Sequence, residues 1–187
     1  MKIILGSNSP RRKELLSQLG FAFEVRTIEF DEYVNVKLPY RDIPKDIAHQ
    51  KLKALGTTKS EDELIICADT LVFLDGRPIG KPKSAGEALE ILTLLSGKTH
   101  EVITAVGINF QEKHLVFDEL TRVTFDELAA EDLEYYIINY LPLDKAGSYG
   151  IQEWIGLVGI SSIVGSYTNV MGLPTQRLHR ELKNFIK

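Results

Sequence analysis

Cysteine is nearly absent from this chain: Cys67 is the only one in 187 residues. A lone cysteine excludes an internal disulfide, so the fold must stand on its apolar core, which a chain of this length can build. Cys67 lies in the run Ile65-Ile66-Cys67-Ala68, where a thiol behaves as a small hydrophobe rather than a nucleophile. Its isolation fits a reducing compartment. A basic surplus is missing as well. The net charge is −4, whereas duplex nucleic-acid binders carry an excess of Lys and Arg, so no nucleic-acid partner is expected. No stretch approaches the roughly 20 apolar residues of a membrane span, and Met1–Gly6 is too short for the apolar region of a secretory signal. No membrane partner is therefore expected, and the expected location is cytoplasmic. His49, His100, His114 and His179 show no metal-ligand spacing, which argues against zinc. Repeats, low-complexity tracts and obvious linkers are lacking too, so residues 1–187 are expected to form one unit, with at most two lobes.

What remains is an ordinary globular composition, 44% apolar and 26% charged, which favours an ordered soluble protein over a disordered one. Lys2–Gly6 is a short apolar run that predicts a buried strand. Ser9 and Pro10 predict a helix start, with Ser9 as N-cap and Pro10 as first helical residue. Leu15, Leu16 and Leu19 form its apolar face and Gly20 its stop. Alternation predicts a strand over Phe21–Ile28. A second helix spans Pro44–Leu55, with Ile47, Ala48, Leu52 and Leu55 on one side. Leu64–Leu74 is a strong strand closed by Asp75-Gly76. Ser84-Ala85-Gly86-Glu87 is a capping box. Strands follow near 101–110 and 115–125, a helix near 130–140, a Gly-rich loop over 141–153, short strands at 154–160 and 161–167, and a helix at 174–186. Alternating elements with strands clustered mid-chain predict an α/β fold with a mixed sheet.

Five segments look like chemistry. In Ser7-Asn8-Ser9-Pro10-Arg11-Arg12-Lys13 a strand runs into a helix N-terminus carrying three cations. The helix dipole is already positive there, so the cations are unfavourable unless an anion binds. Backbone N–H groups and the hydroxyls of Ser7 and Ser9 complete a phosphate cradle with Arg11 and Arg12; the plain structural alternative is a solvated basic turn. The segment lacks the Walker spacing. Asp69-Thr70 follows the apolar run of the long strand. A carboxylate there is costly to bury, which suits a general base or a metal ligand, against a strand-end Asp paired with a backbone donor. Lys81, between Gly80 and Pro82, is placed to neutralise a phosphate as a point charge, or is a surface lysine in a turn. Asp31-Glu32 can offer oxygen ligands to Mg²⁺, or is a solvated acidic pair. In Asp144–Gln152, glycines permit close backbone approach, and the Gln152 amide can donate and accept towards a pyrimidine edge.

Together these segments resemble the Maf family of nucleotide pyrophosphatases. The resemblance runs in order through Ser7–Leu16 with Ser9-Pro10-Arg11-Arg12-Lys13-Glu14-Leu15-Leu16, Ala68-Asp69-Thr70, Gly80-Lys81-Pro82, Ser96-Gly97 with His100-Glu101-Val102 and Thr104-Ala105-Val106, Asp144–Gln152, and Gly165-Ser166-Tyr167 through Gly172-Leu173-Pro174. It implies a mixed, twisted sheet with flanking helices in an elongated, two-lobed architecture like that of Maf and ITPase proteins, with a central cleft. It implies metal-dependent hydrolysis of a nucleoside triphosphate to monophosphate and pyrophosphate, with Mg²⁺ or Mn²⁺. Asp69 matches the proposed catalytic base, and Arg11, Thr70 and Gln152 match positions tied to substrate choice. The form of Asp144–Gln152 is similar to the branch acting on dTTP and UTP, implying a role in cleaning the nucleotide pool that extends to modified pyrimidines. A homodimer is compatible with the resemblance.

The expected mechanism docks the triphosphate on the helix at Pro10, with Arg11 and Arg12 on phosphate oxygens and Lys81 adding charge. A divalent cation is held by Asp69 and Glu32, and Asp69 activates a water for attack on the α-phosphorus. The rival from another class is a nucleotide-binding regulator of division or septum formation that binds without cutting.

Overall fold

The computed structural model describes residues 1–30 and 33–186; Asp31, Glu32 and Lys187 lie outside the described residues. β1 (Lys2–Leu5) buries Ile3, Ile4 and Leu5. Pro10 opens α1 (Pro10–Gln18), which turns Leu15 and Leu16 inward. Gly20 leaves the helix at φ 81°, a left-handed geometry that glycine takes at little cost. Ser9 occupies the cap position, but contrary to expectation its side chain caps nothing. Its backbone N–H is instead drawn to the Ser7 hydroxyl at 3.3 Å.

β2 (Phe23–Val25) is shorter than expected from alternation, because its parallel partner β1 offers only Ile3, Ile4 and Leu5 opposite Phe23, Glu24 and Val25. One further bond, from the Arg26 N–H to the Leu5 carbonyl at 3.1 Å, ends the ladder. α2 (Ile43–Gly56) buries Ile47, Ala48, Leu52 and Leu55 along one stripe and leads to β3 (Glu63–Leu74). Asp75 and Gly76 both take positive φ, 51° and 75°, which matches the right-handed twist of a two-residue hairpin and returns the chain as β4 (Arg77–Ile79), antiparallel to β3.

α3 (Ala85–Leu95) is capped as the sequence predicts: the Ser84 hydroxyl accepts the Glu87 N–H at 3.1 Å. The Glu87 carboxylate, however, takes the N–H of Lys83 at 2.7 Å, which closes the box one residue earlier than expected. β5 (Thr99–Phe110) and β6 (Lys113–Phe125) follow, then α4 (Ala130–Tyr140). The expected strand at 154–160 is instead α5 (Trp154–Gly159). Ile155 and Gly159, four residues apart, face inward while Leu157 is 80% exposed; that is helical spacing hidden in a continuously apolar run. β7 (Ile160–Val164) pairs antiparallel with β6 and ends sooner than expected, because Ser166 caps the short α6 (Tyr167–Val170) by accepting the Asn169 N–H at 3.3 Å. α7 (Thr175–Ile186) closes the chain.

Among the described residues, seven strands form one mixed sheet in the order β2-β1-β3-β5-β6-β7, with β4 on β3. Two compact units partition the chain. The first holds Met1–Asp69, Thr104–Glu119 and Gly172–Lys187; the second holds Thr70–Ile103 and Leu120–Met171. In the first unit β1 runs parallel to both neighbours. The chain moves outward from β1 to β2, then returns across β1 to β3. That reversal leaves a crevice beyond the carboxyl end of β1, beside the middle of β3 where Leu5 pairs with Ile66; open α/β sheets bind ligands at reversals of this kind. The core beneath it packs Leu52 and Leu55 of α2 on Ile4, Ile65 and Cys67. The second unit has its own core, built from Val72, Leu92, Leu95, Phe125, Tyr136 and Tyr149 among others.

Candidate active site

Strand parity decides where Asp69 points. Ile4 stands opposite Ile65 in the parallel ladder, and both face α2 with Cys67. Two residues further on, Asp69 leaves β3 on that same face. Lys51 meets it there: its Nζ lies 2.6 Å from Asp69 Oδ1, with the two side chains 20% and 12% exposed. The lysine offsets the desolvation of a largely buried carboxylate. The second oxygen, Oδ2, is buried and accepts no hydrogen bond from the described residues.

The mouth of the same crevice is built by α1. Arg12 donates from Nη1 to the Ala68 carbonyl at 2.9 Å and from Nε to the Gly172 carbonyl at 2.8 Å. It thereby ties the start of the helix to β3 and to the segment before α7. A planar guanidinium can span such targets where an ammonium cannot. Arg12 Nη1 also reaches the Ser7 hydroxyl at 3.3 Å. Ser7 is buried and accepts from both Arg12 and the Ser9 N–H, so the capacity left on its oxygen is the O–H donor, which suits a phosphate oxygen. No acidic residue occupies the first turn of α1 to offset its positive end. A cavity of about 200 Å³ opens here, lined by Gly6, Ser7, Asn8, Arg12, Thr27, Ile28, Phe30, Lys51, Leu55 and Ala68.

Gly6 lets the chain enter this cavity. A Cβ on it would come within 2.4 Å of Leu55 Cδ1 and 2.6 Å of Cys67 Sγ. Cys67 itself is inert: burial pushes its thiol up to about 12, with Lys51 and Arg12 pulling only weakly the other way.

The first unit thus gathers Ser7, Ser9, Arg11, Arg12 and Asp69. Lys51 joins them, although sequence reasoning passed over it. Its signal was present, since Lys51 stands four residues after buried Ile47 and four before buried Leu55, a cation on the inward stripe of an amphipathic helix. Glu32 lies outside the described residues. Thr70, Lys81 and Gln152 belong to the second unit. There the Gly147 N–H donates to the Gly80 carbonyl at 3.1 Å, which brings the loop of exposed Lys81 to the 144–152 loop. Gly147, at φ 74°, packs so closely on Val72 that a Cβ would meet its methyls at 3.1–3.2 Å. Gln152 is exposed at the end of that loop. Among the described residues, no three His, Cys, Asp or Glu side chains converge as a metal cage.

A family model described as Maf-like protein matches residues 2–185. The chain belongs to the Maf family. It is 54% identical over 183 residues to the dTTP/UTP pyrophosphatase of Phocaeicola vulgatus, covering 97% of this chain and 95% of that one. To the dTTP/UTP pyrophosphatase of Bacillus cytotoxicus it is 49% identical over 184 residues, covering 98% and 95%. In fold, this Maf protein is similar to the solved structure of the Staphylococcus aureus Ham1 protein, with a TM-score of 0.59 over 99% of this chain and 100% of that one at 16% identity. No helix among the described residues is long and apolar enough to cross a membrane.

Proposed function

We propose that this protein hydrolyses dTTP and UTP, and modified pyrimidine nucleotides of similar shape, to the monophosphate and pyrophosphate. The observation that carries the reading is the Lys51–Asp69 pair, which commits one carboxylate oxygen and leaves the other buried and without a hydrogen bond from the described residues, in the unit that also holds the basic N-terminus of α1. The names of the relatives supply the substrate class.

In the proposed reaction the triphosphate is received at the N-terminus of α1, with Ser7 donating to a phosphate oxygen and Arg11 and Arg12 supplying positive charge. Asp69 Oδ2 takes the proton of a water as its oxygen bonds to the α-phosphorus. The bond from the α-phosphorus to the bridging oxygen breaks, and pyrophosphate leaves with that oxygen. Lys81 is proposed as a further phosphate-neutralising charge, and Thr70 and Gln152 as substrate-selecting residues, with the Gln152 amide on the base edge.

The donor set fits a divalent cation of the Mg²⁺ or Mn²⁺ kind. Such an ion needs only one or two carboxylates besides waters and phosphate oxygens, and Asp69 Oδ2 is a buried acceptor without a hydrogen bond from the described residues. Asp69, with Glu32 as the second proposed ligand, would hold it; an Oδ2 given to the ion would orient the attacking water rather than take its proton, so Asp69 serves as base only where the ion is carried by its other ligands. When bound, the ion neutralises charge on the phosphates.

The test is pyrophosphate release from a panel of nucleoside triphosphates with Mg²⁺, with Mn²⁺ and with chelator. Fast release from dTTP and UTP is expected, abolished by chelation and reduced at least ~10²-fold in Asp69→Asn. Wild-type turnover in that variant removes Asp69 from the chemistry. Silence across the panel overturns the proposed activity.

A further inference from the structure

One hydroxyl holds both ends of the turn that carries Gln152. Tyr136 of α4 is fully buried. Its hydroxyl accepts the Gly150 N–H at 3.0 Å and donates to the Glu153 carboxylate. Gly150 and Glu153 are the first and last residues of a four-residue turn, which closes on itself through the Glu153 N–H and the Gly150 carbonyl at 3.0 Å. Between them Ile151 enters the core and Gln152 faces outward. Lys145, itself buried, adds its ammonium at 3.2 Å from Glu153 Oε1 and 2.7 Å from Asp144 Oδ1.

Two details separate this network from routine packing. Glu153 stands at the N-cap of α5, where a side chain ordinarily accepts from the helix, yet it makes no cap bond and serves Tyr136 and Lys145 instead. Gly150 cannot take a side chain without displacing the Glu153 carboxylate from its partners, since a Cβ would lie 2.7 Å from the Glu153 carboxyl carbon. Burial, followed by the bond to Glu153, pushes the Tyr136 phenol far above its ordinary range, so it stays protonated as the donor. A buried and satisfied polar network of this kind fixes geometry more than it adds stability.

We propose that Tyr136, together with Glu153 and Lys145, is a positioning device that holds Gln152 in the orientation that discriminates the pyrimidine base. The inference rests on the proposed function, in which Gln152 reads that base.

The experiment is steady-state kinetics on dTTP, UTP and dCTP for the wild type, Tyr136→Phe, Gln152→Ala and the double variant. Phenylalanine keeps the ring and removes only the clamp. Tyr136→Phe is expected to raise KM for dTTP and to lower the preference for dTTP over dCTP, each about tenfold, with a smaller fall in kcat. Gln152→Ala is expected to show the same signature. The double variant should be no worse than Gln152→Ala alone, because Tyr136 acts through Gln152. A merely structural role lowers the active fraction, so it reduces kcat at unchanged KM and preference and adds fully to Gln152→Ala; that result overturns the proposal. If Gln152→Ala shows the signature and Tyr136→Phe does not, the positioning role alone falls. If Gln152→Ala retains wild-type KM and preference, the base-reading role falls and the positioning role with it. Should Tyr136→Phe fail to fold, Glu153→Gln replaces it with the same signature at about threefold, and unchanged kinetics in that variant overturns the proposal.

Discussion

Lys51 Nζ sits 2.6 Å from Asp69 Oδ1, joining residues 18 apart in the chain and leaving Asp69 Oδ2 buried without a hydrogen bond from the described residues. Lys51→Met strands the carboxylate. It is expected to reduce pyrophosphate release at least ~10²-fold and to lower unfolding free energy by about 1–3 kcal/mol. Adding Asp69→Asn should restore much of the stability and none of the activity. Denaturant unfolding and turnover measured on both variants check this; wild-type turnover in Lys51→Met would remove the lysine from the site.

Arg12 is expected to resist its nominally conservative replacement. Its Nε and Nη1 reach the carbonyls of Gly172 and Ala68 in two directions, and a lysine ammonium cannot reproduce that fork. Arg12→Lys should destabilise the fold by about 1–3 kcal/mol and raise KM. An unfolding midpoint within error of wild type would refute the fastening role.

Two buried groups set the acid limb of stability. Burial depresses the folded-state value of His100 from 6.5 to about 4, with its Nε2 2.6 Å from the Tyr149 hydroxyl. The unfolded chain therefore takes up the proton first. Stability from this group is present above about 6.5 and is lost as pH falls towards 4, on the order of 3 kcal/mol in all. Glu63, bonded by Arg26 at 2.6 and 2.7 Å, is held down to about 2, so its contribution is complete above about 4.5 and disappears between there and 2. Unfolding measured from pH 7 to pH 2.5 should show both falls. His100→Phe should flatten the first and Glu63→Gln the second, whatever each does to the absolute level. A wild-type slope in either variant would contradict its assignment.

Gly156 lies against the backbone of the turn that bears Gln152. A Cβ there would lie 1.9 Å from the Ile151 carbonyl oxygen, which is backbone and cannot rotate aside. Gly156→Ala is expected to cost about 1–3 kcal/mol and to displace the turn bearing Gln152, raising KM for dTTP. Thermal unfolding and kinetics on the variant measure both effects; unchanged values would mean that α5 can shift without moving the turn.

Local chemistry alone determined much of this protein. Pro10 and Gly20 bound α1, Ser84 and Glu87 start α3, and Asp75-Gly76 turns β3 into β4, because caps and turns are contacts between residues a few positions apart. The basic N-terminus of α1 and the buried Asp69 were legible for the same reason, as a cluster of cations at a helix start and a carboxylate after an apolar run. Tertiary structure decided what distance along the chain conceals. The run 154–159 reads equally well as strand or helix until the turn at Gly150–Glu153 and the inward faces of Ile155 and Gly159 are known. Lys51 became a partner of Asp69 only when the parallel register of β1 and β3 set which face of the sheet Asp69 leaves, and α2 was packed against that face. The Tyr136 hydroxyl likewise acquired its two partners only when α4 was docked against the loop. Pairings of this kind depend on register and packing, which no window of sequence contains.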